Sequence, residues 1–302
     1  MTRVFRILRW VAIVAAVGWT VSLAVVWAFQ RDIIYQNGAT RHDPARLDVV
    51  ALSEHVVRAP DGAEVVVWAG GGAPDAPVIV YFHGNAGTLG DRAWRFRRML
   101  DRGWAVVGVG LRGGSGTTGA PSEPGLIMDA LAVHDALPGL LGRAVPPGSV
   151  VPYGESLGTG PAVALAANRA VGAVVLETPF AAVDELAQGM MPHFPILALG
   201  LVKDRWRSVD RIAAIDAPLL VLHGTRDRVI PYDHALALME AAEHPKWLRT
   251  FEGGRHYDLW SRGALEKVAG FVDRYVSAPP PATPPRAKRW PAAAPATPGP
   301  AE

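Results

Sequence analysis

The chain has 302 residues, half of them hydrophobic, which is enough to build one large domain or at most two. Its formal net charge is only +2, and it contains no Lys/Arg block with interleaved aromatic residues, so nucleic acid is not expected as a partner. The absence of cysteine excludes disulfides, thiolate catalysis and zinc–thiolate sites. The nine histidines are scattered without metal-ligand spacing, so a dedicated metal site is not expected either.

Residues 1–30 differ in character from everything that follows. From Trp10 to Phe29 no residue is charged, and a helix of this length spans about 30 Å, the thickness of the hydrocarbon core of a bilayer. Trp10 and Trp27 lie near the two ends of the stretch, where interfacial aromatic residues are favoured. The segment predicts a single-pass membrane anchor. The alternative is a cleaved signal peptide, for which residues 26–28 (Val-Trp-Ala) are an acceptable cleavage site.

The flanking charges predict the orientation of this anchor. Three arginines precede the apolar stretch and three follow it within the window that counts: Arg3, Arg6 and Arg9, then Arg31, Arg41 and Arg46. Weighting the nearest charges, and because Asp32 lies beside Arg31, we expect the N-terminus inside and the main domain in the extracytoplasmic space.

The other end of the chain is also distinct. Residues 277–302 consist largely of proline and alanine, which can build neither a core nor a continuous helix. This composition predicts a disordered tail, partly in the polyproline II conformation. The folded domain is therefore expected over residues 31–276.

Within 31–276, apolar runs typical of strands alternate with helical stretches. Two β-rich runs around residues 60–62 (Pro-Asp-Gly) predict a hairpin over 54–70. Further strands are predicted at 77–84, 104–113, 150–155, 172–180, 218–224 and 246–254, and helices at 91–103, at 121–137, after residue 156 and at 263–276. Buried strands alternating with helices predict an α/β fold, a mostly parallel sheet with helices on both faces.

Ser156 lies between two glycines in VVPYGESLGTG, where a strand meets an alanine-rich stretch. The pattern Gly-x-Ser-x-Gly alone arises by chance in roughly one such chain in ten, so the context must decide. It fits a nucleophile elbow, a strand-to-helix turn too tight for flanking side chains. Pro152 is unusual in this strand, because it removes a ladder hydrogen bond, at a local cost that a bulge could absorb. Glu155 is interpreted as a tolerated elbow residue.

A serine nucleophile needs a histidine base and a carboxylate, and in folds with such an elbow they follow the serine in the order acid, histidine. Asp227 follows the strand predicted at 218–224. His256 follows the next strand, and it is the only histidine after both Ser156 and Asp227 that lies at a strand end. Glu177, at the end of VVLE, is the alternative acid. Asp258 is expected to cap or orient the last helix.

Backbone N–H groups are expected to stabilise the oxyanion of the reaction. One donor is Leu157, the residue after the nucleophile, and the other comes from the HGNAG segment at 83–87. Asn85 is the preferred second donor and Ala86 its substitute. His83 is interpreted as a residue that shapes this turn. No Gly-Lys-Ser/Thr phosphate loop accompanies the elbow.

Taken together, the chain resembles the α/β-hydrolase superfamily, and more narrowly its membrane-anchored, Bem46-like branch of α/β-hydrolase-domain serine hydrolases. The segments that carry the resemblance are VYFHGNAG, LRGGSGTTGAPSEPG, YGESLGTGPAVALA, LETPF, VLHGTRDRVIP and GGRHYDL. They extend over nearly all of 30–276. The resemblance implies a Ser156–Asp227–His256 triad in a serine hydrolase that needs no cofactor.

The sequence departs from that family at the loop which begins at Leu111. The family usually has Tyr-Arg-Gly-Tyr-Gly there, whereas this chain has Leu111, Gly114 and Ser115 at the first, fourth and fifth positions. Tyr257 replaces a usual asparagine after the histidine. The loop borders the mouth of the active site, so substrate preference cannot be copied from relatives.

Residues 181–216 form a long connection that contains the apolar stretch MMPHFPILALGLV. It is interpreted either as a small helical cap that lines an acyl pocket or approaches the membrane, or as an apolar helix packed on the sheet edge. The expected function is hydrolysis of acyl esters through an acyl-serine intermediate, with lipids and lipophilic esters or thioesters as the favoured substrates. An amidase or peptidase-type hydrolase, and a non-catalytic membrane-anchored binding domain of the same fold, are the alternatives.

Overall fold

The computed structural model of the chain describes residues 2–191 and 200–276. Within them lies an eight-stranded sheet with the strand order β1-β2-β4-β3-β5-β6-β7-β8. The strands are β1 (Leu52–Arg58), β2 (Glu64–Gly71), β3 (Val78–Phe82), β4 (Ala105–Val109), β5 (Val150–Glu155), β6 (Val174–Glu177), β7 (Leu219–Gly224) and β8 (Lys246–Phe251). The helices are α1 (Thr2–Ile34), α2 (Ala93–Leu100), α3 (Glu123–Leu141), α4 (Thr159–Asn168), α5 (Val183–Met190), α6 (Ser208–Arg211), α7 (Asp233–Ala241) and α8 (Ala264–Tyr275).

The strand directions confirm a mostly parallel sheet. β1 and β2 form the predicted antiparallel hairpin, with Arg58 opposite Glu64 and a turn at Gly62, whose φ of 88° suits glycine. β2 is also antiparallel to β4, and every later neighbour pair is parallel. The carboxyl ends of the parallel strands therefore meet at one edge, where ligands bind in such sheets.

Helices cover both faces of the sheet because its central strands are apolar on both sides. Along β3, Val80 faces a core that includes Leu126 of α3 and Val163 of α4. The next residue, Tyr81, faces the opposite core with Phe96 of α2 and Val268 of α8. This alternation across the pleat explains why the run 77–84 shows no polar face in the sequence.

Pro152 lies in a continuous strand without a bulge. It pairs with Val80 of β3, and the register through this position is unbroken. Alternate residues of a strand turn their polar groups to the same neighbour, and the Val150 carbonyl accepts a bond from Gly172 N–H on the β6 side. The ladder with β6 begins only at Tyr153. The nitrogen of Pro152 therefore faces β6 at the position just before that ladder starts.

The N-terminal helix α1 extends four residues beyond the predicted anchor. It is long and apolar enough to cross a bilayer, as a signal sequence would also be. In the predicted cap, α5 and α6 flank a stretch of which 192–199 lie outside the described residues, as does the predicted tail 277–302.

Candidate active site

Ser156 lies at the end of β5, in a tight turn that leads into α4. Its φ is +50°, a strained value for a residue with a side chain, and it is 8% exposed. The flanking glycines are required by space. A Cβ on Gly158 would overlap the carbonyl oxygen of Phe82, and one on Gly154 would overlap the backbone of Thr159. The local fold is thus the elbow that the Gly-x-Ser-x-Gly pattern requires.

Three residues from three strand ends meet at this turn. His256 Nε2 lies 2.8 Å from Ser156 Oγ, and His256 Nδ1 lies 2.7 Å from Asp227 Oδ2. All three side chains are buried. The arrangement is a continuous hydrogen-bonded chain from carboxylate to imidazole to hydroxyl, which is the geometry that activates a serine.

Asp227 is held on both carboxylate oxygens. Oδ1 accepts backbone bonds of 2.8 Å from Val229 N–H and 2.9 Å from Ile230 N–H, so that Oδ2 is directed to His256. A second imidazole, His223 Nε2, lies 3.4 Å from Oδ2. Burial opposes the charge, but these hydrogen bonds outweigh it and hold the pKa of Asp227 well below its usual value. The carboxylate therefore stays ionised.

The candidate oxyanion donors lie on either side of Ser156. Gly84 approaches so closely that a Cβ there would lie 3.2 Å from Ser156 Cβ. The Ala86 N–H donates to Asn85 Oδ1 at 3.0 Å, whereas the Asn85 N–H has no acceptor within the described part of the chain. Leu157 lies in the first turn of the elbow helix, where N–H groups lack intrahelical acceptors. Of the two alternatives in this loop, Asn85 rather than Ala86 keeps a free donor.

The alternative acid, Glu177, is engaged elsewhere. Its Oε2 accepts bonds from Tyr153 at 2.6 Å, Arg95 at 2.9 Å and Trp260 at 2.9 Å. Asp258 does not cap the last helix, which begins at Ala264, but its Oδ2 lies 2.9 Å from Nε of Arg262, two residues before that helix. Its Oδ1 also accepts the Arg255 N–H at 2.7 Å, which closes the loop that carries His256.

Glu155 has a structural role that its interpretation as a tolerated elbow residue does not include. Its carboxylate is 6% exposed and accepts bonds from Arg92 at 2.8 Å and 3.0 Å and from Tyr81 at 2.6 Å. Burial opposes its charge, but Arg95 and Arg92 hold the pKa of Glu155 below its usual value. The same three-residue spacing recurs at Arg95 and the exposed Arg98, so the arginines alone do not mark a buried anionic partner in the sequence.

His83 has a structural role, consistent with its interpretation as a turn residue. Its Nδ1 lies 2.8 Å from the Gly84 carbonyl oxygen, which fixes the start of the oxyanion loop. Complete burial lowers the pKa of His83 to about 4, so the ring is neutral at pH 7. Tyr257, the departure beside the catalytic histidine, is 73% exposed and packs edge-on against the His256 ring at 4.7 Å.

Comparisons with known proteins agree with this fold. No protein-family model matches the chain. A Mycobacterium tuberculosis H37Rv protein, named as uncharacterised, is 35% identical over 274 residues, covering 88% of this chain and 95% of that protein. Human alpha/beta hydrolase domain-containing protein 17B is 33% identical over 205 residues, covering 67% of this chain and 68% of that protein.

Solved structures of low sequence identity share the fold of this chain. An esterase of Pyrococcus furiosus superposes with a TM-score of 0.64 at 15% identity, covering 80% of this chain and 96% of that one. An acetyl xylan esterase from Paenibacillus sp. R4 gives 0.63 at 17% identity, covering 82% and 99%. The elbow, the strand order and the shared sequence of the relatives converge, and the chain belongs to the family of α/β-hydrolase domain-containing proteins.

Proposed function

We propose that the protein is a serine hydrolase that cleaves acyl esters through an acyl-serine intermediate. The proposal rests on one observation, the unbroken hydrogen-bond chain in which Asp227, His256 and Ser156 are joined at 2.7 Å and 2.8 Å. No other pair of acid and base in the described residues contacts the elbow serine. Because the relatives of this fold are hydrolases, acyl transfer to water is the reaction that these three residues are proposed to catalyse.

In the first half-reaction, His256 Nε2 removes the Ser156 proton while Oγ attacks the acyl carbonyl carbon. The resulting oxyanion accepts hydrogen bonds from the backbone N–H groups of Leu157 and Asn85. The tetrahedral intermediate collapses, the bond to the leaving group breaks, and His256 delivers its proton to the departing alcohol. Asp227 holds the imidazole in the tautomer that makes both transfers possible.

In the second half-reaction, water attacks the acyl-serine while His256 accepts its proton. The same two N–H groups stabilise the second oxyanion, and collapse releases the carboxylic acid and restores the Ser156 hydroxyl. Every step uses groups of this chain and one water molecule, so the atoms and protons balance without a cofactor.

Lipophilic acyl esters are the proposed substrate class. The apolar helix α1 would hold the domain beside lipid, and both superposed structures named above are esterases. We propose that α1 is an uncleaved single-pass anchor and that the domain is extracytoplasmic. Thioesters fit the same chemistry. Amides are the second candidate, because the triad alone does not select the leaving group.

The test is labelling of the full chain with a fluorophosphonate probe, together with hydrolysis of p-nitrophenyl esters of graded chain length. Ser156→Ala is expected to abolish both labelling and hydrolysis. Ser53→Ala, at an exposed position of β1, is the matched control and should behave as wild type. Full activity in Ser156→Ala would refute the mechanism, and an unlabelled, inactive wild type would favour a non-catalytic binding domain.

A further inference from the structure

The C-terminal end of α1 and the segment that follows it are hydrogen-bonded to the rest of the domain. Within α1, the buried Gln30 side chain donates to the Leu201 carbonyl at 3.1 Å and accepts the Lys203 N–H at 2.7 Å. Arg31 forms a two-point ion pair with Asp204, at 2.8 Å and 3.1 Å. These bonds hold the C-terminal end of α1 against residues 201–204, in the C-terminal part of the predicted cap.

The same contacts reach the helix behind the nucleophile. Asp204 also accepts the Glu123 N–H at 3.0 Å, and the indole N–H of Trp206 donates to Tyr35 Oη at 2.9 Å. Trp206 is completely buried and packs on α4, where a Cβ on Gly160 would lie 2.5 Å from its ring. Tyr35 therefore docks beside the helix that begins at the elbow.

Residues 35–38, which we call the strap, then run along the oxyanion loop. Gln36 N–H donates to Asn85 Oδ1 at 2.7 Å, and Gly38 N–H donates to the Gly87 carbonyl at 2.8 Å. Asn37 forms a β-bridge with Gly87. Asn85 Oδ1 thus accepts hydrogen bonds from the Gln36 N–H of the strap and from the Ala86 N–H. These two bonds fix the position of Asn85, the preferred oxyanion donor.

The strap also contacts the loop that departs from the family pattern. Asn37 Nδ2 donates to the Arg112 carbonyl at 2.9 Å, and Ser115 N–H donates to the Gly38 carbonyl at 2.8 Å. A Cβ on Gly114 would lie 2.5 Å from Asn37 Cβ. Glycine at 114, where the family usually has tyrosine, leaves the space that the strap occupies.

We propose that the strap is a positioning element of the catalytic site. Gln36 binds the Asn85 side chain, and Asn37 and Gly38 hold the Gly84–Gly87 loop at Gly87. Together they keep the Asn85 N–H where the oxyanion forms and connect α1 to that site. The inference rests on the proposed function, because it needs an oxyanion at Ser156. It assigns no contact between the strap and the substrate itself.

The test is Gly38→Ala in the full-length protein, because a Cβ there would lie 2.8 Å from Thr88 Cγ2 and 3.2 Å from the Gly87 carbonyl oxygen and is expected to disturb the contact between strap and loop. An oxyanion contact is made only in the transition state, so kcat is expected to fall about tenfold while KM stays within twofold. The matched control is Gly139→Ala, a helical glycine with nothing within 4 Å, which should keep wild-type kcat.

Rescue separates positioning from general damage. Thr88→Ser removes the clashing methyl group but keeps the hydroxyl that bonds Asp91, so Gly38→Ala/Thr88→Ser is expected to regain most of the lost kcat. If Gly38→Ala does not fold, Asn37→Ala provides the test without adding an atom, with an expected threefold loss of kcat at constant KM. An unchanged kcat in both strap variants, or a rise in KM with no fall in kcat, would overturn the inference. Retained activity in Ser156→Ala would instead overturn the proposed function.

Discussion

The indole N–H of Trp260 donates a 2.9 Å hydrogen bond to Glu177 Oε2 and so joins the turn after the His256 loop to the charges beneath the nucleophile. Glu177 is paired with Arg95, which lies 3.7 Å from Glu155, the residue before Ser156. The proposed base and nucleophile are therefore supported by one buried network. Its members are complementary in charge, which is the condition under which buried ions are tolerated.

Removal of that link is expected to loosen the histidine loop. In Trp260→Phe, Glu177 loses one of its donors, so the free energy of unfolding should fall by about 2 kcal/mol and kcat by about tenfold. Urea unfolding and ester hydrolysis measure the two effects. Trp94→Phe, the same change at an exposed ring packed against Trp260, should shift neither by much. Equal losses in the two variants would contradict a specific role for the Trp260 bond.

Asp227→Asn distinguishes the two candidate acids. The amide oxygen is expected to take the position that accepts Val229 and Ile230, which turns the NH₂ group towards His256 and forces the wrong imidazole tautomer. kcat should fall by about 10³- to 10⁴-fold at nearly constant KM. Glu177→Gln leaves the triad in place, so it should reduce stability by about 3 kcal/mol and kcat by less than tenfold. The opposite ranking of the two kcat values would assign the acid role to Glu177.

His83 predicts a pH dependence of stability. Unfolded His83 takes up a proton below its ordinary pKa of 6.5, whereas the folded residue does so only near 4. The unfolded state therefore binds more protons in this window, and stability falls as the pH is lowered through it. Between pH 6.5 and 4.5 this group should account for about 2 kcal/mol of the loss. Unfolding free energies of wild type and His83→Gln across this range would test it, and parallel curves would contradict it.

The proposed anchor predicts where the protein is found and which residues it keeps. The intact mass of the purified protein should include residues 10–29, and the protein should resist carbonate extraction from membranes. Protease added outside intact cells should cleave the 31–276 domain, as expected from the flanking arginines. A soluble protein that begins after residue 28 would instead identify α1 as a signal sequence.

Sequence patterns predicted what depends on neighbours along the chain. Buried strands are continuous apolar runs, so the sheet could be predicted from the sequence. Asp227 follows such a run, β7, whereas His256 follows β8, whose residues are mostly half-buried or exposed, and was chosen by its order after Asp227. The bond from the Arg255 N–H to Asp258 was not predicted, because its donor is a backbone group that no residue type indicates. Helix α8 begins at Ala264, one residue after the predicted start, because Gly263 adopts a left-handed conformation.

Contacts between distant segments were not predictable in the same way. Gln36 with Asn85, Arg31 with Asp204 and Arg95 with Glu177 each join residues that lie far apart in sequence. A charge or an amide in a sequence does not say which partner it meets. Gly114 departs from a family pattern that the sequence shows, but the reason for it, the contact with Asn37, depends on a residue 77 positions earlier in the chain.

The contacts of Tyr35 and the strap determine where the N-terminus can be truncated to obtain a form of the protein that is soluble without detergent. A chain shortened to begin after Gly38 would remove the Tyr35 hydroxyl from the Trp206 indole, expose a fully buried ring and leave Asn85 Oδ1 without the Gln36 N–H. A chain that begins at Phe29 keeps Gln30, Arg31 and the strap while discarding most of the apolar helix. The boundary for solubilisation therefore lies within α1, ahead of the point at which the helix ends.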